Sequence, residues 1–134
     1  YVDSTESDGA CLNDDFALLD ALKKVRRFDG TPTFIQFHLM SVHGLGSRRP
    51  EYVRFSPNTN PYRLHLAGKL SSEVDVERVV NFYDNGILQL DAVFEQLNLT
   101  LAEKGYLDDA LVILTGDHGE LLGELGLVTH ARST

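Results

Sequence analysis

At 134 residues, 43% of them hydrophobic, the chain is long enough for one domain with a sizeable core and too apolar to be disordered. Its 20 acidic and 12 basic residues give a formal charge of −8, which excludes a nucleic-acid partner held by bulk charge. No apolar run has the length of a membrane span, no signal peptide is visible, and the single Cys11 excludes an intrachain disulfide.

Residues 1–13 are polar and read as an arm or loop. Because the first residue is Tyr1 rather than methionine, an upstream portion is expected. Asn13 or Asp14 can cap a helix running to about Phe28, whose series Phe16, Leu19, Leu22, Val25 makes one apolar face. Lys23, Lys24, Arg26 and Arg27 fall in its last turns, where cations complement the helix dipole. Asp29 to Pro32 then turns the chain.

Thr33 to Met40 (TFIQFHLM) predicts a strand. His38 lies inside it and reads as a core or face residue. His43 comes three residues beyond its end and projects at the sheet edge where ligands collect in open α/β folds. From Leu45 to about Leu70 the chain is irregular, with Pro50, Pro57 and Pro61 and four arginines, Arg48, Arg49, Arg54 and Arg63. Such loops are usually functional or mobile, and these guanidinium groups can line an approach for an anion. His65 carries no motif and reads as structural.

Ser71 or Ser72 can cap a long helix to about Lys104, stopped by Gly105. Tyr83, Ile87, Leu90, Phe94, Leu97 and Leu101 form its buried stripe, and Gly86 within it suggests close packing against a sheet. Asp84, Asn85 and Asp91 read as capping, packing or surface residues. The sequon Asn98-Leu99-Thr100 falls in mid-helix and reads as coincidence. Leu111 to Leu114 predicts a second strand, buried on both faces. Two helix–strand units follow, so the expected fold is α/β: a layered αβα arrangement around a mostly parallel sheet.

The chemistry concentrates just after that second strand, in Thr115-Gly116-Asp117-His118-Gly119-Glu120. Asp117 offers a hard anionic oxygen and His118 a borderline nitrogen, a pair that suits a divalent cation. Twelve residues after His118 comes His130. The string LVILTGDHGELLGELGLVTH resembles the C-terminal metal-binding motif of the sulfatase branch of the alkaline phosphatase superfamily. Residues 33–130 carry the resemblance, including the strand followed by His43-Gly44 and the segment Tyr83-Asp84-Asn85 to Asp91.

What the resemblance implies is an alkaline-phosphatase-like domain present in part, 1–134 being one partial catalytic domain. Asp117 and His118 would be metal ligands to zinc, manganese or calcium, while His130 and His43 would be catalytic residues at the substrate group. Glu120 and Glu124 would order the loop. The nucleophile and the remaining ligands would lie N-terminal to this chain, since GACLN around Cys11 lacks the Cys-x-Pro-x-Arg pattern of formylglycine sulfatases. The expected activity is metal-dependent hydrolysis of a sulfate or phosphate ester, the isolated chain itself being inactive. A phosphoethanolamine- or phosphoglycerol-type transferase is the alternative, favoured by Gly126-Leu127-x-x-His130 and by Arg49-Pro50 after His43. A non-catalytic interaction domain with a degenerate site is a third reading. An anionic ester is the expected partner, with self-association through an exposed edge, an extracytoplasmic setting and membrane anchoring of a longer protein as further expectations.

Overall fold

The structure, a computed structural model, describes residues 13–66 and 73–130. Cys11 and the candidate caps Ser71 and Ser72 lie outside the described residues. The elements are α1 (Phe16–Lys24), α2 (Pro61–Leu66), α3 (Glu73–Glu103), β1 (Leu121–Leu122) and β2 (Val128–Thr129), with single 3-10 turns at Pro50–Tyr52 and Glu124–Gly126. Among the described residues no helix is long and apolar enough to cross a membrane.

Helix α1 starts at Phe16, so that Asp15, and not the expected Asn13 or Asp14, holds the N-cap position, without a cap bond from its own side chain. The Asp14 carboxylate accepts the Phe16 N–H at 3.1 Å, one of the donors a helix start leaves unpaired. It ends four residues before Phe28, at Lys24. From Val25 the chain is extended and lies across the end of α3. Lys104 Nζ donates to the carbonyls of Lys23 and Val25, Arg27 to that of Glu103, and the Phe28 N–H to that of Lys104. Those bonds satisfy the carbonyls that another helical turn would have used. Phe16, Leu19 and Leu22 are buried against Val93 and Leu97 of α3, whereas Val25 is left exposed.

Helix α3 spans nearly the range its periodicity predicts, but the face it buries departs from the expected stripe, sharing Leu97 with it and Leu101 at the core's margin. The buried positions are Val79, Phe82, Asn85, Gln89, Val93 and Leu97, while Ile87 of the expected stripe is exposed. Counting apolar residues misses this face because two of its members are amides. Asn85 Oδ1 accepts the N–H groups of Arg54 and Phe55 at 2.7 and 2.9 Å, and its Nδ2 donates to the Phe55 carbonyl. Gln89 Oε1 accepts the Arg49 N–H at 2.8 Å, and its Nε2 donates to Ser41 Oγ and the Ser47 carbonyl. The loop from Ser41 to Phe55 has almost no ladder of its own, so these side chains supply partners for its buried backbone.

Asp15 does the same from α1. Its carboxylate, 1% exposed, accepts the N–H groups of Met40 and Ser41 and the Ser41 hydroxyl. Gly86 answers the close-packing expectation with a different neighbour: a Cβ there would stand 2.5 Å from the Ser41 carbonyl oxygen, so the helix lies directly against the loop and not against a sheet.

The expected layered parallel sheet is not formed among the described residues. Segments 33–40 and 111–114 carry no ladder, and Leu111 to Leu114 are exposed, with Leu111 at 87%. A parallel strand is buried only when neighbours flank it and helices cover both faces, and no such neighbour stands beside either segment here. Among the described residues the one sheet is the antiparallel pair β1–β2, with Leu121 opposite Thr129 and Leu122 opposite Val128. Phe37 and Leu39 still pack against the α1–α3 core, which brings the end of segment 33–40 to the loop that follows it.

Replacing Asn85 with Ala would take the side-chain partner from two part-buried N–H groups and one carbonyl. We expect a loss of about 2–3 kcal/mol in urea unfolding followed by helical circular dichroism. Leu99→Ala, at a position 64% exposed on the same helix, should change stability by less than about 0.5 kcal/mol.

Candidate active site

Three histidines and two acids from three parts of the chain meet at one edge of the molecule. His43 comes from the turn after segment 33–40. Asp117, His118 and Glu120 follow segment 111–114, and His130 follows β2. The hairpin β1–β2 folds His130 back onto Glu120, with Gly123 at φ +123° and Gly126 at φ +72° permitting the reversal. Thr129, immediately before His130, holds φ +71°, a conformation unusual for a β-branched residue.

The turn carrying His43 is closed by its own backbone. The His43 N–H donates to the Met40 carbonyl at 3.0 Å and the Gly46 N–H to the His43 carbonyl at 2.9 Å. Most telling is the Leu45 N–H, which donates to His43 Nδ1 at 3.0 Å. A nitrogen that accepts an amide hydrogen carries none itself, so the neutral ring has its proton on Nε2. That nitrogen faces Glu120 Oε1 at 4.0 Å and the Tyr62 hydroxyl at 3.5 Å. Gly44 makes room for Tyr62, whose ring would collide with a side chain at that position.

His118 has the opposite arrangement. Its Nδ1 lies 2.9 Å from the Gly119 carbonyl oxygen, which can only accept, so the proton sits on Nδ1 and Nε2 keeps a free lone pair. Metal-bound histidines characteristically donate their other N–H in this manner. Nε2 lies 3.7 Å from Asp117 Oδ1. Two ligands on a tetrahedral zinc, each about 2.0–2.1 Å from the ion, stand about 3.4 Å apart. The pair therefore fits a divalent cation with a small adjustment.

A different trio, His43, Glu120 and His130, offers ligand atoms within 4.8 Å of one another. It fits a cation less well. His43 Nε2 already carries a proton, and freeing it would cost the Leu45 bond. His130 Nδ1 is engaged with Glu120 Oε1 at 2.7 Å, a histidine–carboxylate couple. That couple leaves His130 Nε2 for other partners. The rings of His118 and His130 are in contact at 3.8 Å between centroids with their planes tilted by 36°, and those of His43 and His130 stand 4.9 Å apart.

His43, Asp117, His118 and His130, singled out in the sequence, are thus brought together. Three neighbours were read otherwise. Glu120, expected to order its loop, is the acid partner of His130. His38, expected to be a core or face residue, is exposed, with Nε2 3.8 Å from Asp117 Oδ2. Tyr62 carried no sequence signal. The loop arginines do not line an approach as expected: the Arg49 guanidinium is paired with Asp14 at 2.7 Å and lies over the Phe16 ring, and Arg48 is turned inward. Arg54 and Arg63 are exposed.

Burial lowers the His43 pKa, reinforced by the charges of His130 and His118 and opposed by Glu120. Burial also raises the Tyr62 hydroxyl, with the Glu120 charge acting in the same direction. Desolvation raises the Asp117 carboxyl, but the backbone amides of Asp117 and His118 and the His118 and His38 charges outweigh it and leave the group below its ordinary value.

A histidine with a lowered folded pKa contributes stability that is complete above the unfolded value of 6.5 and is lost as pH falls through the folded value. Protonation would place a hydrogen on Nδ1 and expel the Leu45 N–H. The urea midpoint should therefore drop between about pH 7.5 and about pH 5, and His43→Gln should flatten part of that drop. An identical pH dependence in the variant would contradict the assignment.

A family model described as Sulfatase matches residues 1–134. The chain is 32% identical over 91 residues to phosphoethanolamine transferase EptA of Escherichia coli O157:H7, covering 66% of this chain and 16% of that protein. It is 31% identical over 91 residues to the EptA of Salmonella typhimurium, again covering 66% of this chain and 16% of that protein. With phosphatidylethanolamine transferase Mcr-1 of Escherichia coli it shares 27% identity over 93 residues, 69% of this chain and 17% of that protein. The chain thus spans about one sixth of the length of the curated relatives it matches. No solved structure matches it. With the family match covering the whole chain and the transferases among its relatives, the chain belongs to the sulfatase family, within the alkaline phosphatase superfamily and its α/β fold class.

Proposed function

We propose that these residues form the metal- and anion-handling part of an active site that transfers a phosphoethanolamine-type group between hydroxyls. The carrying observation is the opposed protonation of two histidines on one edge: His118 presents a lone pair beside Asp117, and His43 presents a proton. A site that must hold a cation and an anionic oxygen side by side needs both kinds of group. The named transferases among the relatives support transfer over sulfate-ester hydrolysis, so hydrolysis of a sulfate or phosphate ester becomes the second reading.

In this account Asp117 and His118 hold the divalent cation, zinc or manganese suiting one oxygen and one nitrogen better than calcium. The ion, when bound, polarises an ester oxygen and lowers the pKa of a nucleophilic hydroxyl. A third protein ligand and the nucleophile come from residues outside this chain, and segments 33–40 and 111–114 become sheet strands beside them. His43 donates its Nε2 proton to a developing oxyanion. His130, its Nδ1–H on the Glu120 carboxylate, exchanges a proton at Nε2 with the departing or attacking oxygen, the carboxylate orienting the ring as in other histidine–acid couples. An extracytoplasmic setting, in a protein anchored to a membrane outside these residues, goes with this reading.

In the full protein, Asp117→Ala and His118→Ala should each remove bound metal and cut turnover by at least about 100-fold. Metal content by elemental analysis and transfer from a phosphoethanolamine-bearing lipid check this. Faster turnover of a nitrophenyl sulfate than of the lipid would favour the hydrolase. Unchanged activity in both variants would leave the non-catalytic interaction domain as the better account.

A further inference from the structure

Arg48 shows no sign of reaching for a ligand. Its Nε donates to the Phe82 carbonyl at 3.2 Å, Nη1 to the Gly46 carbonyl at 3.0 Å, and Nη2 to the His43 carbonyl at 3.3 Å. The guanidinium lies 4.0 Å from the centre of the Phe82 ring. Burial pushes its pKa down to about 10, against the raising effect of the Asp15 charge. A cation placed among carbonyls and an aromatic ring, without a carboxylate in contact, is there to organise backbone.

The backbone it organises is the turn that sets the His43 ring. Carbonyls 43 and 46 are the two ends of that turn, and both are fastened to α3 through one planar group whose donors have fixed relative directions. Between them lies Leu45, whose N–H occupies His43 Nδ1. Gly86 belongs to the same device. A Cβ on it would stand 2.8 Å from Arg48 Nη2, so the helix surface is open where the guanidinium enters.

We propose that Arg48 is a positioning residue for His43: by clamping carbonyls 43 and 46 to α3 it keeps the Leu45 amide on Nδ1 and the Nε2 proton directed into the site. The inference rests on the reading of His43 as the substrate-facing donor. Arg48 acts through His43 and touches no substrate.

The test uses the full protein, labelled with nitrogen-15 in its histidines, and compares Arg48→Met, Arg48→Lys and Gly86→Ala. In Arg48→Met we expect the His43 ring signals near pH ~8 to move from pure Nε2–H to a tautomer mixture, with kcat down about tenfold or more and KM within about twofold. Arg48→Lys, which keeps the charge and the contact with Phe82 but not the fork, should give a partial shift. Gly86→Ala should act in the same direction as Arg48→Met. A raised KM with kcat intact would overturn the proposal in favour of a direct anion contact, and an unchanged His43 tautomer in a folded Arg48→Met protein would overturn it outright. If that variant does not fold, wild-type His43 signals in Arg48→Lys overturn it. Failure of the functional reading is separate: His43→Ala with full activity would remove His43 from the reaction, while the ring spectra would still decide whether Arg48 sets its tautomer.

Discussion

A neutral imidazole can offer a lone pair or a proton at Nε2, but not both, and its neighbour at Nδ1 determines which. The account of this protein depends on that constraint. At His43 an amide hydrogen occupies Nδ1, and at His118 a carbonyl oxygen does. Two histidines on one edge, their rings bridged by that of His130, are thereby given opposite chemistry. One can bind a cation without changing its tautomer, and the other can bind an anionic oxygen. Much of the described structure serves to keep the first of those contacts in place, through the loop that carries His43.

The means are polar where a core is usually apolar. Asp15, Asn85 and Gln89 are each at most 1% exposed, and together they hold a loop that has almost no ladder of its own. Such groups are costly when left unpaired and rigid when fully paired. Here every one of them bonds to loop backbone or to Ser41. An apolar face at the same helix positions would have buried more hydrocarbon and let the loop drift. The His43 ring would then lose its fixed direction.

Much of this was legible in the sequence, for reasons that differ by element. The long helix was readable because an apolar repeat of threes and fours, sustained from Tyr83 to Leu101, fits no other element. Its buried face was not, since Asn85 and Gln89 look like solvent-facing residues until a loop is laid against them. Asp117, His118 and His130 could be read because acid, imidazole and glycine follow an apolar run in a recognisable order. Glu120 was within reach: the glycines at 123 and 126 allow the hairpin that returns His130 to it. Tyr62 and the inward turn of Arg48 depend on contacts across distant parts of the chain, which no local pattern encodes. The parallel sheet is not formed among the described residues because strand character in segments 33–40 and 111–114 requires partners, and apolar composition alone supplies none.

The assignment of separate tasks to the two histidines is open to direct observation. Crystals of the full protein with one equivalent of zinc, measured at the zinc absorption edge, would locate the ion. The account predicts one anomalous peak about 2.0–2.2 Å from the Asp117 carboxylate and from His118 Nε2, with His43 Nε2 outside bonding distance. A first-occupied peak among His43, Glu120 and His130 would contradict it, because His43 would then have surrendered the proton on which its proposed role depends.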